Sequence, residues 1–413
     1  MATKSTEGWN ERNDTLEITT KNRIKSAIEY ILITAVIILA LCLRIHSINT
    51  IQYKMEYDAL NYHNMANQFL EKGFLGYPLW SLPKDMPNAY VTPGYPLFLS
   101  LIYKIVGNGQ ELGIMAVKFV QAILSTLSVL IIYLIGKRIK SPIVGIIAAV
   151  MASIYPTFLV VTAYHLTETL YLFVFLLYLY LQIISNQKNS KLLNFITGII
   201  FGAAVLVRPT VFPLFIVVYL FEYFINKNKK ALKNMIFFIL GLVLIMLPWW
   251  IRNIVTMGEF ILLCTQSGNP LLGGAYPPWI EHPSFSPENQ TAQAIEAIIN
   301  GFRYHTADYL YWFTWGKLKI IYGTQYLVGM LELPDFIKCI HIISISLGTI
   351  GIIVSIFKKE IRLIALYLVM LTCLQLLFIP ESRYAFPIMP LFMILTGYVI
   401  NWLIAKIFKI NKI

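Results

Sequence analysis

Ten runs of nearly unbroken apolar residues, parted by short segments in which lysines collect, constrain this chain more than any single motif. They lie at about 27–45, 117–136, 142–160, 165–184, 193–207, 210–225, 235–251, 336–357, 361–379 and 384–405. The hydrocarbon interior of a bilayer offers no partner to a free backbone N–H or C=O, so a run that crosses it has to be helical. The expected fold class is an all-α polytopic membrane protein with about ten transmembrane helices and two long outer-face loops that carry short interfacial helices. Composition agrees, because only 13% of the 413 residues are charged and the mean hydropathy is +0.66, against roughly 25% charged in a soluble domain.

The net charge of +12 does not point to nucleic acid, because the cations sit in the short loops between apolar runs. Lys21, Arg23 and Lys25 precede the first run, which places the N-terminus in the cytoplasm. The inside loops then carry Lys137, Arg138 and Lys140; Lys188 and Lys191; Lys227, Lys229, Lys230 and Lys233; and Lys358, Lys359 and Arg362, with Lys406, Lys409 and Lys412 in the tail. The short outside loops carry only Arg208 and Arg383. The expected organisation is a cytoplasmic tail 1–26, a transmembrane core 27–251 that includes an outer loop 46–116, a second outer loop 252–335, and C-terminal crossings with a basic tail 336–413. The first 25 residues are polar, and the run at 27–45 lacks a small-residue cleavage site. It reads as an uncleaved signal anchor of a plasma-membrane protein. Cys42 and Cys373 lie inside runs, Cys339 near the start of one, and Cys264 in a loop, which is no disulfide framework.

Two segments needed arbitration by charge. Counting the apolar stretch 95–106 as a crossing would put the cluster 137–140 outside, so it is expected to be an outer-face or re-entrant helix. The run 193–225 contains Arg208-Pro209, and two short helices broken there keep the cluster 227–233 inside. The first outer loop holds a helical stretch 57–72 and a turn-rich part 78–96. The second holds a Gly/Pro-rich part 267–287, a helix 291–305, and the aromatic stretch 309–322, with Trp312 and Trp315 suited to the headgroup level.

Few residues here can do chemistry. Asp58, Tyr62 and Ala66 repeat at i, i+4, i+8 and share a helix face. A carboxylate held against a membrane surface is a candidate general base, and the alternative is a solvated loop acid. Glu168 opens the fourth crossing, where the helix dipole alone would favour an acid and Thr167 could cap the helix. With His165 three residues earlier it offers two ligands for a divalent metal. Arg208 and Arg383 stand at outer helix ends, where cations are scarce, and the planar guanidinium suits a phosphate bidentately. The alternatives are a snorkelling anchor or, for Arg383, a local pair with Glu381.

The order of motifs is informative as a set. It runs D-A-L-N-Y (58–62), T-P-G-Y-P (92–96), H-L-T-E-T-L-Y (165–171), L-V-R-P-T (206–210), P-W-W-I-R-N (248–253), the loop G-E-F-I-L-L-C-T-Q-S-G-N-P-L-L-G-G (258–274) and S-R-Y-A-F-P-I-M-P (382–390). In this order the chain resembles the GT-C-type membrane glycosyltransferases, and within them the branch of protein O-mannosyltransferases and the lipid A aminoarabinose transferase. The resemblance implies an inverting transfer from a polyprenyl-phosphate sugar to a lipid, glycan or protein hydroxyl on the outer leaflet. Asp58 would be the general base, Arg208 and Arg383 the donor-phosphate ligands, and Tyr62, His165, Glu168 and Tyr384 supporting residues. Two departures stand out: Ala59 takes the place where many members have a second acid, and Val91-Thr92 stand before Pro93 where the aminoarabinose branch has a lysine. A flippase or a non-catalytic member of the fold would share the hydropathy. The absence of an internal repeat weighs against a transporter, and retention of Asp58 against a non-catalytic member.

Overall fold

The computed structural model describes residues 3–52, 54–78, 86–107, 111–266, 268–281, 289–326 and 335–407. Parts of the turn-rich stretch 78–96 and of the Gly/Pro-rich stretch 267–287, as well as Lys409 and Lys412, lie outside these residues. The elements are α1 Thr3–Thr50, α2 Tyr57–Lys72, α3 Gly94–Val106, α4 Glu111–Ile139, α5 Pro142–Ile154, α6 Pro156–Val160, α7 Thr167–Lys188, α8 Lys191–Val207, α9 Leu214–Phe224, α10 Ala231–Met257, α11 Gly268–Ala275, α12 Gln290–Tyr304, α13 Thr306–Tyr311, α14 Lys317–Gly323, α15 Asp335–Ser355, α16 Arg362–Gln375 and α17 Met389–Ile407. No strand occurs among the described residues.

The ten expected runs are all helical, but they are not ten equal spans. Among the described residues five helices are long and apolar enough to cross a bilayer, namely Arg23–Thr50 within α1, α4, α7, α10 and α17. A sixth arises only if α5 and the following helical stretch Pro156–Ala163 count as one, across a bend of 61°. The bend falls at Pro156, which cannot continue the hydrogen-bond ladder of α5. Gly94–Val106, Lys191–Val207, Pro209–Phe224 and Cys339–Ser355 are shorter apolar helices. The break at Arg208-Pro209 is present: Arg208 has extended φ/ψ of −142° and 113°, and a 3₁₀ turn Pro209–Val211 follows.

Local sequence explains where several helices begin. The Ser141 hydroxyl accepts from the Val144 N–H with Pro142 in the first turn, and the Ser190 hydroxyl accepts from the Leu193 N–H. The pairing of α8 with α10 rests on glycine: a Cβ at Gly198 would lie 2.0 Å from the Phe238 carbonyl oxygen. Helices meeting through such small residues approach closely enough for van der Waals packing to hold them without a hydrophobic driving force.

The bundle has two chemically distinct ends. At one, Arg138 Nε donates to Gln187 (2.8 Å), Asn228 donates to Asn189 (2.9 Å), Lys137 pairs with Glu29, and Tyr398 donates to Glu360 (2.9 Å). These contacts gather the basic loops expected inside. The two long loops meet at the other end. Arg252 donates to the carbonyls of Leu75 (2.6 Å) and Asn88 (3.1 Å), while the Thr265 and Gln266 N–H groups donate to the carbonyls of Ala89 and Tyr90. The indoles of Trp249 and Trp250 bond the carbonyls of Leu263 and Leu262. The P-W-W-I-R-N motif is thus a clamp that fixes both loops over the end of α10.

One expectation about the second loop is corrected. Trp312 is 4% exposed, and its indole donates to the Gly274 carbonyl at 3.0 Å. It is a buried strut beneath α11, because a buried indole N–H needs a partner. Trp315, 64% exposed, keeps the geometry expected of an interfacial residue.

Candidate active site

Four segments far apart in sequence bring their ionic residues together at the end of the bundle opposite the basic loops. Asp58 stands in the first turn of α2, Glu168 in the first turn of α7, Arg208 directly after α8, and Arg383 in the 3₁₀ turn Ser382–Ala385 before α17. Arg383 is the bridge. Its Nη1 donates to Asp58 Oδ2 at 2.9 Å and its Nε to Glu168 Oε1. Arg208 Nη2 donates to the same Glu168 oxygen at 2.9 Å, and Arg208 Nε donates to the Thr167 hydroxyl at 2.9 Å. That hydroxyl in turn donates to Glu168 Oε2 (3.3 Å). Two carboxylates and two guanidiniums make a neutral cluster. Neither arginine is a snorkelling anchor, and Arg383 reaches away from Glu381 across the bundle.

Burial grades this cluster. The Glu168 side chain is fully buried, those of Arg208 and Arg383 are 15% and 16% exposed, and that of Asp58 is 41% exposed. Glu168 is therefore the anchor at the bottom and Asp58 the group within reach of a substrate. Burial opposes the charge on Arg383, but Glu168, Tyr326 and Asp58 more than offset it and hold the guanidinium protonated. A neutral bridge would strand two acids, so this pairing is what permits a buried carboxylate here at all.

Aromatic hydroxyls surround the ionic core. Tyr77 donates to Asp58 Oδ1 at 3.0 Å. Burial first, and then Asp58, raise its proton affinity, so it stays a donor. Tyr62 packs edge-on against Tyr77 and Tyr95, at centroid distances of 5.8 and 5.3 Å. It is a wall beside Asp58, protonated through burial and the same carboxylate. Burial pushes Tyr326 up to about 12, with Glu168 adding to the shift. Tyr384 is raised by burial and Glu381. Tyr77 and Tyr326 escaped the sequence analysis because tyrosine is abundant in this chain (25 residues) and neither lies at a helical spacing from Asp58.

His165 does not join the cluster. It lies in the loop before α7, and its ring is completely buried. Burial, aided by repulsion from Lys118 and from His63 when that ring is protonated, pushes the imidazole down to about 3. The spacing of three residues from Glu168 would put both side chains on one face of a helix, but α7 begins only at Thr167 and His165 lies before it. Among the described residues no three His, Cys, Asp or Glu side chains gather as metal ligands. The Glu168 oxygens are taken by two guanidiniums and a hydroxyl, whose positive charges oppose a divalent cation. The residues present do not fit a resident metal there.

The T-P-G-Y-P motif is a spacer for Arg208. A Cβ on Gly94 would lie 2.6 Å from the Leu206 carbonyl oxygen, and the Thr92 hydroxyl donates to the Val207 carbonyl at 3.4 Å. The start of α3 thus abuts the last turn of α8, immediately before the arginine.

Comparisons with known proteins agree with this architecture. A family model described as dolichyl-phosphate-mannose-protein mannosyltransferase matches residues 89–251, a stretch that includes Glu168 and Arg208. The chain superposes on the oligosaccharyltransferase AglB of Archaeoglobus fulgidus, solved in complex with an inhibitory peptide and a dolichol-phosphate, with a TM-score of 0.61 at 14% identity over 92% of this chain and 51% of that one. It also superposes on ArnT of Cupriavidus metallidurans, solved bound to undecaprenyl phosphate, with a TM-score of 0.56 at 12% identity over 89% of this chain and 60% of that one. The chain thus spans about half the length of the oligosaccharyltransferase. A search of curated proteins finds no match. These likenesses are to GT-C-type membrane glycosyltransferases, whose fold this multi-pass chain shares.

Proposed function

We propose that this chain is a glycosyltransferase that moves a sugar from a polyprenyl-phosphate donor to a hydroxyl-bearing acceptor at the outer face of the plasma membrane. The observation that carries the reading is the Asp58–Arg383–Glu168–Arg208 cluster, in which a partly exposed carboxylate adjoins two guanidiniums anchored on a buried one. The lipid phosphates bound by the two similar proteins support a lipid-linked donor. The basic loops at the opposite end support the outer-face assignment, because short loops rich in lysine and arginine favour the cytoplasmic side.

In this reading the donor phosphate takes the place of Asp58 as the partner of Arg383, with Arg208 beside it. That exchange leaves Asp58 Oδ2 free while Tyr77 still holds Oδ1. Asp58 then accepts the proton of the acceptor hydroxyl as its oxygen attacks the anomeric carbon. The bond from that carbon to the phosphate oxygen breaks, its electron pair leaves with the lipid phosphate, and the anomeric configuration inverts. The arginines stabilise the charge that gathers on the phosphate, an interaction stronger in the transition state than in the ground state. Glu168 touches no reacting atom and positions the arginines. The acceptor is a lipid, a glycan or a protein side chain.

The test is transfer by the full chain in nanodiscs, with undecaprenyl-phosphate pentoses and hexoses as donors and nucleotide sugars as controls. Lipid-linked sugar should be consumed and nucleotide sugar ignored. Asp58→Asn should lower turnover at least about 100-fold, the lower range of base catalysis. Consumption of nucleotide sugar, or an Asp58→Asn rate within about threefold of wild type, would refute the proposal.

A further inference from the structure

The second long loop carries a groove of about 500 Å³ that the transfer chemistry does not use. Its size falls in the range of roughly 300–1,000 Å³ common to ligand sites. One wall is a single face of α12, where Gln293, Glu296, Asn300 and Tyr304 follow one another at helical spacing. Facing them are Tyr276 and Glu281, and the floor is the ring of Tyr309. The floor exists because residue 301 is glycine: a Cβ there would lie 1.9 Å from the Tyr309 ring.

The groove is rigidly mounted. Leu272 and Ala275 of α11 bury against Ala294 and Ala297 of α12 in a small core of their own. The Ile379 N–H donates to the Pro270 carbonyl of α11 at 2.8 Å, four residues before Arg383. The rim is fixed by the Trp279 indole, which donates to Asp308 at 2.9 Å. On another face of α12, Ile295, Ile299 and Phe302 are exposed at 50%, 54% and 38%. That stripe suits the headgroup–acyl boundary and would place the groove at the membrane surface.

The lining has the chemistry of saccharide recognition. The Tyr304 ring, 70% exposed, offers a flat face to sugar C–H groups, while carboxylates and amides meet hydroxyls in pairs. Glu281 and Glu296 make the groove acidic, whereas the cluster beside Asp58 presents guanidiniums. An anionic donor is repelled from the groove, whereas at the neutral cluster its phosphate can take the place of Asp58 on Arg383, so one end of the bundle holds two sites of different preference. We propose that this groove is the acceptor subsite and that it takes a glycan whose sugars are neutral or carry an amine. The assignment of this ligand to the acceptor rests on the transfer reading given above.

The experiment is saturation-transfer NMR on the full chain in nanodiscs with three probes: chitotriose (neutral), tri-glucosamine (cationic) and tri-galacturonate (anionic). The first two should give signal and the third none. Asn300→Trp, which fills the groove from an exposed position, should weaken binding of the neutral probe at least tenfold. Glu281→Gln with Glu296→Gln should erase the preference for the cationic over the anionic probe. Absence of signal from both chitotriose and tri-glucosamine, or binding indifferent to Asn300→Trp, overturns the subsite. Hydrolysis of lipid-linked donor by the wild type, measured separately, reports on the transfer reading alone. Saccharide binding without donor hydrolysis would sink that reading and with it the acceptor role, while leaving the groove a glycan site.

Discussion

Replacing Glu168 by glutamine should destabilise this protein more than any other single change in the ionic cluster, although the proposed mechanism gives Glu168 no chemical step. The side chain is fully buried and accepts from both Arg208 and Arg383. An amide keeps the shape and one acceptor oxygen but removes the charge, leaving Arg208 without an anionic partner and Arg383 with Asp58 as its one remaining carboxylate. Removing one partner of a buried ion pair costs about 3–5 kcal/mol. The slight exposure of both arginines argues for the lower end, about 3 kcal/mol, which is more than a hundredfold in the folded fraction. Asp58→Asn should behave differently, because Asp58 is 41% exposed and Arg383 keeps Glu168. An exposed pair is worth about 1 kcal/mol or less, so this variant should fold normally and fail in turnover. Denaturant titration of the purified proteins in one detergent, followed by tryptophan fluorescence, measures both. A Glu168→Gln protein within about 0.5 kcal/mol of wild type, or an Asp58→Asn protein less stable than Glu168→Gln, would refute the view that the buried acid organises the site.

Three further outcomes follow from the same geometry. Arg383→Lys should cut use of lipid-linked donor by about tenfold or more in a turnover assay, because one ammonium cannot bridge two acids as the guanidinium fork does; donor use at wild-type efficiency would contradict the bridging role. Gly94→Ala should lower stability by about 1–3 kcal/mol and raise the donor KM, since its methyl group meets the Leu206 carbonyl next to Arg208; an unchanged KM would separate α3 from the placement of that arginine. The buried His165, whose imidazole is held near 3, should cost stability as pH falls below about 6.5. The unfolded chain binds a proton there that the folded one refuses, so the loss approaches about 1.4 kcal/mol per pH unit between 6 and 4. His165→Gln should flatten that acid limb of the denaturation curve, and a limb of unchanged slope would place the titration elsewhere.

Much of the architecture was legible in the chain. Apolar run length dictated helices, because a bilayer leaves the backbone no other way to satisfy its hydrogen bonds. Arg208-Pro209 announced a break, because proline disfavours a helical residue before it. The basic loops, expected on one side of the membrane, lie together at one end of the bundle. Helix lengths were less legible: inside the 142–160 run only Pro156 hinted at the 61° bend, and whether a proline kinks or merely starts a helix depends on what packs against it.

For the candidate site, the cast was legible in the chain: one aspartate after the first run, one glutamate at the start of the fourth, and two arginines set apart from the basic clusters. The sequence did not determine who pairs with whom. Asp58 and Arg383 are 325 positions apart and Glu168 and Arg383 215 apart, and no spacing rule reaches across such intervals. Glu168 does open α7, as the helix-dipole reading expects, but its carboxylate meets long-range arginines and not His165, and Arg383 meets Asp58 and Glu168 and not Glu381. The reason is desolvation. Burying Glu168 removes water from its carboxylate, and only guanidiniums delivered by the ends of other helices can replace that water. The tertiary packing therefore decided the network, the choice of Asp58 as the accessible acid, and the groove on the second loop, because each depends on which helix ends meet.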